Sequence, residues 1–387
     1  MNERERFIEA LLFGKPDKVP FMPGGPREST LKRWHQEGLP PGCDWYAFLL
    51  KELGITKETG QTPISLDVSF KMMPEFEEKV LEHKDGHYLV RDWMGAVVEI
   101  SDRFDYTYLR SAKDFVTRKW HKFPVENRAD WQEMKRRYDP KTPGRYPADF
   151  PERCRKVQDR DFLLSVSFNG PFWQLREWCG FENLCLLMAE DPDFVEEMVL
   201  FWQAFVLAVL EPALSAAPPD HILISEDMAY KGKSMISPGM VRRFLLPCWQ
   251  AWSERIKKSG CRLIEVDSDG YVGELIPLWI EAGINVCSPM EVAAGDDLPA
   301  LRRKFGRNMA YRGGIDKRAI AKGGKIMEAE VLRVVANYSD SPKAGVVPPL
   351  LKEGGYIPSC DHGVPSDISW KNFVEYSRLL AKFCGWL

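Results

Sequence analysis

"CRLIEVDSDG", residues 261–270, is an apolar run that closes on acids and a glycine. A strand alternates its faces, so Glu265, Asp267 and Asp269 point the same way. A helical pattern follows to Ala282, which makes the stretch a β-then-α unit with its acids toward the C-terminal end of the strand. Two such units precede it. "FLLSVSFNG" (162–170) leads into helical pattern to about 215, and "HILISEDMA" (221–229) into a helix from Pro238 to Lys258. Three follow it. "INVCSPMEVAAG" (284–295) precedes a helix after Asp297, "NMAYRGGID" (308–316) precedes helical segments to about 339, and "GYIPSCDH" (355–362) precedes a helix from about Ser369 to Phe383. Six β-then-α units in succession imply a parallel sheet.

The chain before residue 161 supplies the rest of the architecture. Residues 2–13 read as an amphipathic helix, and "KVPFMPGG" (18–25) as a short strand ending in a turn. "HYLVRDWMGAVVEI" (87–100) reads as a hairpin turning at Met94-Gly95. The remainder of 26–160 reads as irregular. The expected fold is α/β, one (β/α)₈ TIM-barrel domain over residues 1–387, with N-terminal insertions covering the C-terminal rim. A doubly wound open sheet is the alternative, against which no GxGxxG follows any strand.

Composition narrows the function. The net charge is −3 with no long basic block, so nucleic-acid binding has little electrostatic support. No run of 18 apolar residues suggests a membrane span, and the charged start "MNERERFIEALLFGKPDKVP" lacks a signal-peptide core. Nine scattered Cys fit reduced thiols and a cytoplasmic location.

Catalytic residues of a barrel stand at the C-terminal ends of its strands. Here those ends carry Asn169, Glu226 with Asp227, Asp267 with Asp269, Glu291, Asp316, and Cys360 with His362. So many carboxylates repel one another unless protons or a cation hold them, and a metal is the simplest cation. Two ligands from each of two strands, or three with one open position, suit catalytic zinc. Each residue also has a structural reading. "DSDG" reads as an Asx turn, Cys360 as a small buried residue, Glu226-Asp227 as partners of Lys231 and Lys233, Asp316 as a helix cap, and Asn169 as a turn former.

Five segments resemble the uroporphyrinogen decarboxylase superfamily, which includes corrinoid-dependent methyltransferases. They are "RERFIEALLFGKPDKVPF", "SFNGPFWQLREWCGFENL", "ISEDMAYKGKSMISPGMVRRFLLP", "GGID" and "GGYIPSCDHGVPSDISWKNFVEY". The decarboxylases carry an Arg-rich "RQAGR" after the first strand; this chain has "MPGGPREST", with Arg27 alone. The resemblance therefore leans to the methyltransferase branch, whose zinc sits on an "HxCG" and a late Cys. Carried over, Asp267 and Asp269 take the first two ligand positions and His362 or Cys360 the third, with Glu265 as a reserve ligand. This harder ligand set favours an oxygen-bound methyl donor over a thiol.

The expected function is thus zinc-dependent methyl transfer, the O-demethylase component that passes a methyl group from a small methoxylated or methylated substrate to a corrinoid (cobalamin) protein. No cobalamin-binding "DxHxxG" loop is present, so the corrinoid is expected on a partner. Glu226, Asp227 and Glu291 are expected to orient substrate or move a proton. Asn169, Trp93, Trp173 and Asp316 are expected to line its wall. A homodimer is the expected assembly. The rival readings are a metal-free lyase or decarboxylase of the same fold, and a barrel that binds a ligand without turnover.

Overall fold

The computed structural model describes all residues except 56–62, 113, 115 and 337–349. The expected helical tail at 337–339 lies outside the described residues. The N-terminal part is more regular than its sequence implied. Besides helices Glu3–Leu11, Glu28–Gln36 and Trp45–Leu53, it holds a four-stranded antiparallel sheet, β1 (Lys79–Lys84), β2 (His87–Arg91), β3 (Val97–Ser101) and β4 (Arg118–Lys122), in that order. Val90, Ala96, Val98 and Ile100 give this sheet its own small core. The outer strands are almost wholly polar and exposed, so no apolar alternation marked them. The expected hairpin is β2 and β3. The Asp92 carboxylate accepts from the Met94 and Ala96 amides, and Gly95 takes the positive φ of the turn.

The C-terminal part builds a six-stranded parallel sheet. Its strands are β5 (Ser165–Asn169), β6 (His221–Ser225), β9 (Leu263–Asp267), β10 (Val286–Ser288), β11 (Ala310–Ile315) and β12 (Tyr356–Cys360). A two-stranded ribbon, β7 (Ala229–Tyr230) and β8 (Lys233–Ser234), follows β6. The parallel strands lie side by side in chain order, with no reversal. A doubly wound sheet has such a reversal, so that alternative is not the fold here. N-terminal segments flank both edges. Ile64 bridges Leu164 beside β5, and Pro26 bridges Val364 beyond β12. The strand expected at 18–25 is reduced to contacts of this kind, such as Cys360 N–H donating to the Pro23 carbonyl at 3.2 Å.

Alternation decides what each face of the sheet does. Ile222, Ile224, Ile264 and Val266 are fully buried in the main core, together with Trp249, Trp252 and Trp279 of the surrounding helices. Apart from Leu223 and Leu263 the alternate positions are polar: Ser165, Ser167 and Asn169 on β5, His221 and Ser225 on β6, Glu265 and Asp267 on β9. Most parallel strands are apolar on both sides. Helix Pro192–Ala216 is long and apolar enough to cross a membrane by length and composition, but half of that stretch is buried. It packs against helices Leu246–Lys258 and Pro171–Cys179 as a core helix.

Candidate active site

The polar face of the sheet opens into a cavity of about 1430 Å³, lined from the sheet by Asn169, Ser225, Asp267, Ser288, Arg312 and Cys360. Asp44, Trp45, Arg118 and Trp120 line it from the N-terminal part, which therefore does cover the strand ends as expected.

At the floor lies a network that the sequence reading missed. Glu265 is fully buried and accepts from Arg312 at 2.9 Å, from Ser288 Oγ at 2.5 Å and bonds His221 Nε2 at 2.9 Å. His221 Nδ1 in turn meets Ser165 Oγ at 2.9 Å. Burial alone would raise the Glu265 pKa, but the Arg312 guanidinium, with His221 and Ser288, holds it at about 2. Glu265 is one layer below the strand end, as expected, and bonds inside the sheet. It has no lone pair to spare as a reserve metal ligand. His221 and Arg312 were legible only as polar residues on nearby strands, each two positions out of register with Glu265.

Asp267 stands one layer higher. No donor among the described residues reaches its carboxyl. Burial, then the charges of Glu265, Asp227 and Asp269, push its pKa up to about 7. Asp227 lines the same cavity and accepts from the Asp269 amide at 3.1 Å. Its backbone is left-handed, φ +41°, a strained state for a residue with a Cβ. The Arg176 guanidinium holds the turn by donating to the Asp227 carbonyl at 2.8 Å. Burial also raises the Asp227 pKa.

His362 and Asp269 form a pair at the rim. His362 Nε2 lies 2.8 Å from Asp269 Oδ2, and the Arg27 guanidinium meets Nδ1 at 3.0 Å. Since Arg27 only donates, Nδ1 accepts and the ring proton sits on Nε2, facing Asp269. The Asp269 contact raises the His362 pKa, against burial. Cys360 is buried, and burial pushes its thiol up to about 12.

These contacts decide the fit to zinc. Both ring nitrogens of His362 are engaged, Cys360 is buried, and Glu265 is committed to Arg312. Among the described residues no group of three or more His, Cys, Asp and Glu is arranged to hold a metal. As arranged, the residues do not fit a zinc site. They form a set of carboxyl groups in which Arg312 neutralises Glu265 and burial favours the protonated forms of Asp227 and Asp267.

Other expected site residues stand elsewhere. Glu226 does not line the cavity. It is fully buried, accepts from the Phe172 and Trp173 amides at 3.0 and 3.2 Å and from Trp249 Nε1 at 2.6 Å, and its pKa is pushed up by burial to about 8. It caps the helix that follows β5. Neither Lys231 nor Lys233 pairs with it among the described residues. Glu291 binds Lys317 at 2.8 Å and the Gly270 amide at 3.2 Å, behind the cavity wall. Asp316 caps helix Lys317–Lys322 and pairs with Arg318, as its capping reading expects. Trp173 lines the main cavity, but Trp93 lines a second cavity behind it. Asp361 was missed between its two neighbours; its carboxylate accepts from the Val292 and Lys317 amides and ties three strand ends together.

No family model and no curated protein matches the chain. Among solved structures, a methyltransferase from Methanosarcina mazei matches over 99% of this chain and 98% of its own, at 14% sequence identity and a TM-score of 0.53. At that identity the likeness is one of fold.

Proposed function

We propose that the chain is a methyltransferase built on a (β/α)₈ barrel, with segments near residues 23 and 64 taking the places of the first two strands. Its substrate is a small methoxylated compound held in the main cavity, and its methyl acceptor is a corrinoid on a partner protein that docks over the open end. The observation that carries this reading is Asp267 on the cavity wall, a carboxyl that no donor among the described residues reaches, with its pKa raised to about 7. The fold likeness to a methyltransferase supports it.

Breaking a methyl–oxygen bond leaves the electron pair on oxygen, and that oxygen needs a proton. Protonated Asp267 supplies it, so the alcohol leaves neutral while the methyl carbon bonds to the acceptor. A reduced corrinoid supplies the nucleophile. Arg312 and Glu265 fix the floor beneath Asp267, and burial, then the like charges of Glu265, Asp227 and Asp269, keeps its pKa high. No step runs through zinc.

A lyase acting on a carboxylated substrate is the second reading. Arg27 and Arg118 on the cavity wall favour it, since they suit a substrate carboxylate. Incubation with cob(I)alamin and 2-methoxyphenol or 2-methoxyethanol separates the two. Methylcobalamin formation supports the first, and release of carbon dioxide from a carboxylated substrate without methyl transfer supports the second.

A further inference from the structure

Behind the main cavity lies a second one of about 690 Å³. Asn169 and Ser225 line both, so the two adjoin at the ends of β5 and β6. Its lining is aromatic: Phe70, Trp93, Tyr138 and Trp202. The polar tips of two of these are already used. Trp202 Nε1 donates to the Asn169 carbonyl at 2.9 Å, and Tyr138 Oη receives Trp178 Nε1 at 3.1 Å and Gln174 Nε2 at 3.3 Å. Arg110 lies over one side of the Trp93 ring and Phe205 stacks on Trp202, so what these rings offer a ligand is ring carbon and the π-surface left uncovered, with the Tyr138 O–H as the one donor not yet used.

Three acids complete this lining, Asp67, Glu75 and Glu177. Glu177 Oε1 receives Trp173 Nε1 at 2.6 Å, and Oε2 receives Asn169 Nδ2 at 3.2 Å. No Lys, Arg or His forms an ion pair with it among the described residues. The other lining acids are compensated, Glu75 by Arg110 and Asp67 by Arg153. The cavity lining holds one further charge, Lys71, and no arginine, whereas three arginines line the main cavity. Aromatic rings around an uncompensated carboxyl are what an alkylated ammonium requires: cation–π attraction without hydrogen bonds, plus one counter-charge.

From this lining we infer that the second cavity is a binding site for an alkylated ammonium cation, with Glu177 as its counter-ion and Phe70, Trp93, Tyr138 and Trp202 as its cage. The inference stands on this cavity alone and does not depend on methyl transfer. Burial holds the empty-site pKa of Glu177 at about 7; Arg176 and Arg118 favour its ionisation and Asp92 opposes it. A bound cation draws off that proton, so affinity rises with pH.

Choline and its neutral isostere 3,3-dimethylbutan-1-ol, titrated into the whole protein by calorimetry, test the site. Choline should bind saturably and more tightly than the isostere, with affinity rising about tenfold from pH 6 to pH 8, as the ionised fraction of a group near 7 requires. The isostere should show no such rise. Glu177→Gln should abolish the pH dependence. Trp93→Ala, at a partly exposed position, should weaken choline several-fold if the glutamate variant fails to fold. Equal affinity for the two probes, pH-independent choline binding, no saturation, or choline binding that survives Trp93→Ala unchanged would each overturn the inference.

Discussion

Glu265 and Asp267 lie two residues apart on one strand, line one cavity, and are shifted in opposite directions from the ordinary carboxylate pKa. Arg312 and His221 hold the first at about 2 despite its burial, and the second, with no hydrogen-bond partner among the described residues, is raised to about 7 by burial and by Glu265 itself. One carboxylate is fixed charge and structure. The other carries a proton it can give up. Such divergence between neighbouring acids marks acid–base assignments in active sites.

The proton on Asp267 predicts a pH profile. If the protonated form is the acid, the rate should fall as pH rises through about 7, with a single alkaline limb. Rates measured from pH 5.5 to 9 check this, and a rate that climbs through pH 7 would contradict it.

Asp267 should also cost stability. Its folded pKa lies above the ordinary aspartate value, so the folded chain keeps a proton that the unfolded chain releases between about pH 4 and pH 7. Stability from this group therefore falls as pH rises through that window and stays low above it. Asp267→Asn should melt several degrees above wild type at pH 8 and with it at pH 4. A lower melting temperature at pH 8 would show that the carboxylate has a stabilising partner.

Glu265→Gln should do the reverse. It leaves the Arg312 guanidinium and His221 without their counter-charge in the sheet interior, a loss on the order of 3 kcal/mol. Denaturant unfolding measures it, and a loss below about 1 kcal/mol would make the network peripheral.

Gly170 fixes Glu226 beneath the helix that follows β5. A Cβ there would stand 2.0 Å from the Glu226 carboxyl carbon, inside van der Waals contact. Gly170→Ala should cost about 2 kcal/mol or more, because Glu226 is held from three sides and has nowhere to move. An unchanged unfolding midpoint would show that the cap yields.

The engaged nitrogens of His362 predict metal content. Elemental analysis should find well under one zinc per chain, unchanged in His362→Ala. Stoichiometric zinc that disappears in His362→Ala would show that the Arg27 and Asp269 contacts open to admit a metal.

The β-then-α rhythm after residue 161 was legible because apolar alternation with Ile222, Ile264 and Val266 is strong there. The antiparallel sheet was hidden because β1 and β4 expose nearly every side chain. At the site, alternation put Glu265 and Asp267 on one face and predicted their difference in depth. The partners of Glu265 come from three other strands, 44 residues away at His221 and 47 at Arg312, and no local spacing shows such contacts. Asp316, expected on the substrate wall, is instead the helix cap that its structural reading offered, and Glu226 was misplaced because two of its partners are amides of a helix more than 50 residues earlier.

In the proposed reaction Asp267 delivers the proton when a methyl group leaves oxygen. The most direct measurement is the single-turnover rate of methylcobalamin formation from cob(I)alamin and 2-methoxyphenol at pH 6.5, by wild type and by Asp267→Asn. Wild type should form methylcobalamin, and the variant, folded and at least as stable, should be slower by a factor on the order of 100 or more. An undiminished rate in Asp267→Asn, or no methylcobalamin from wild type with any methoxylated compound offered, would contradict it.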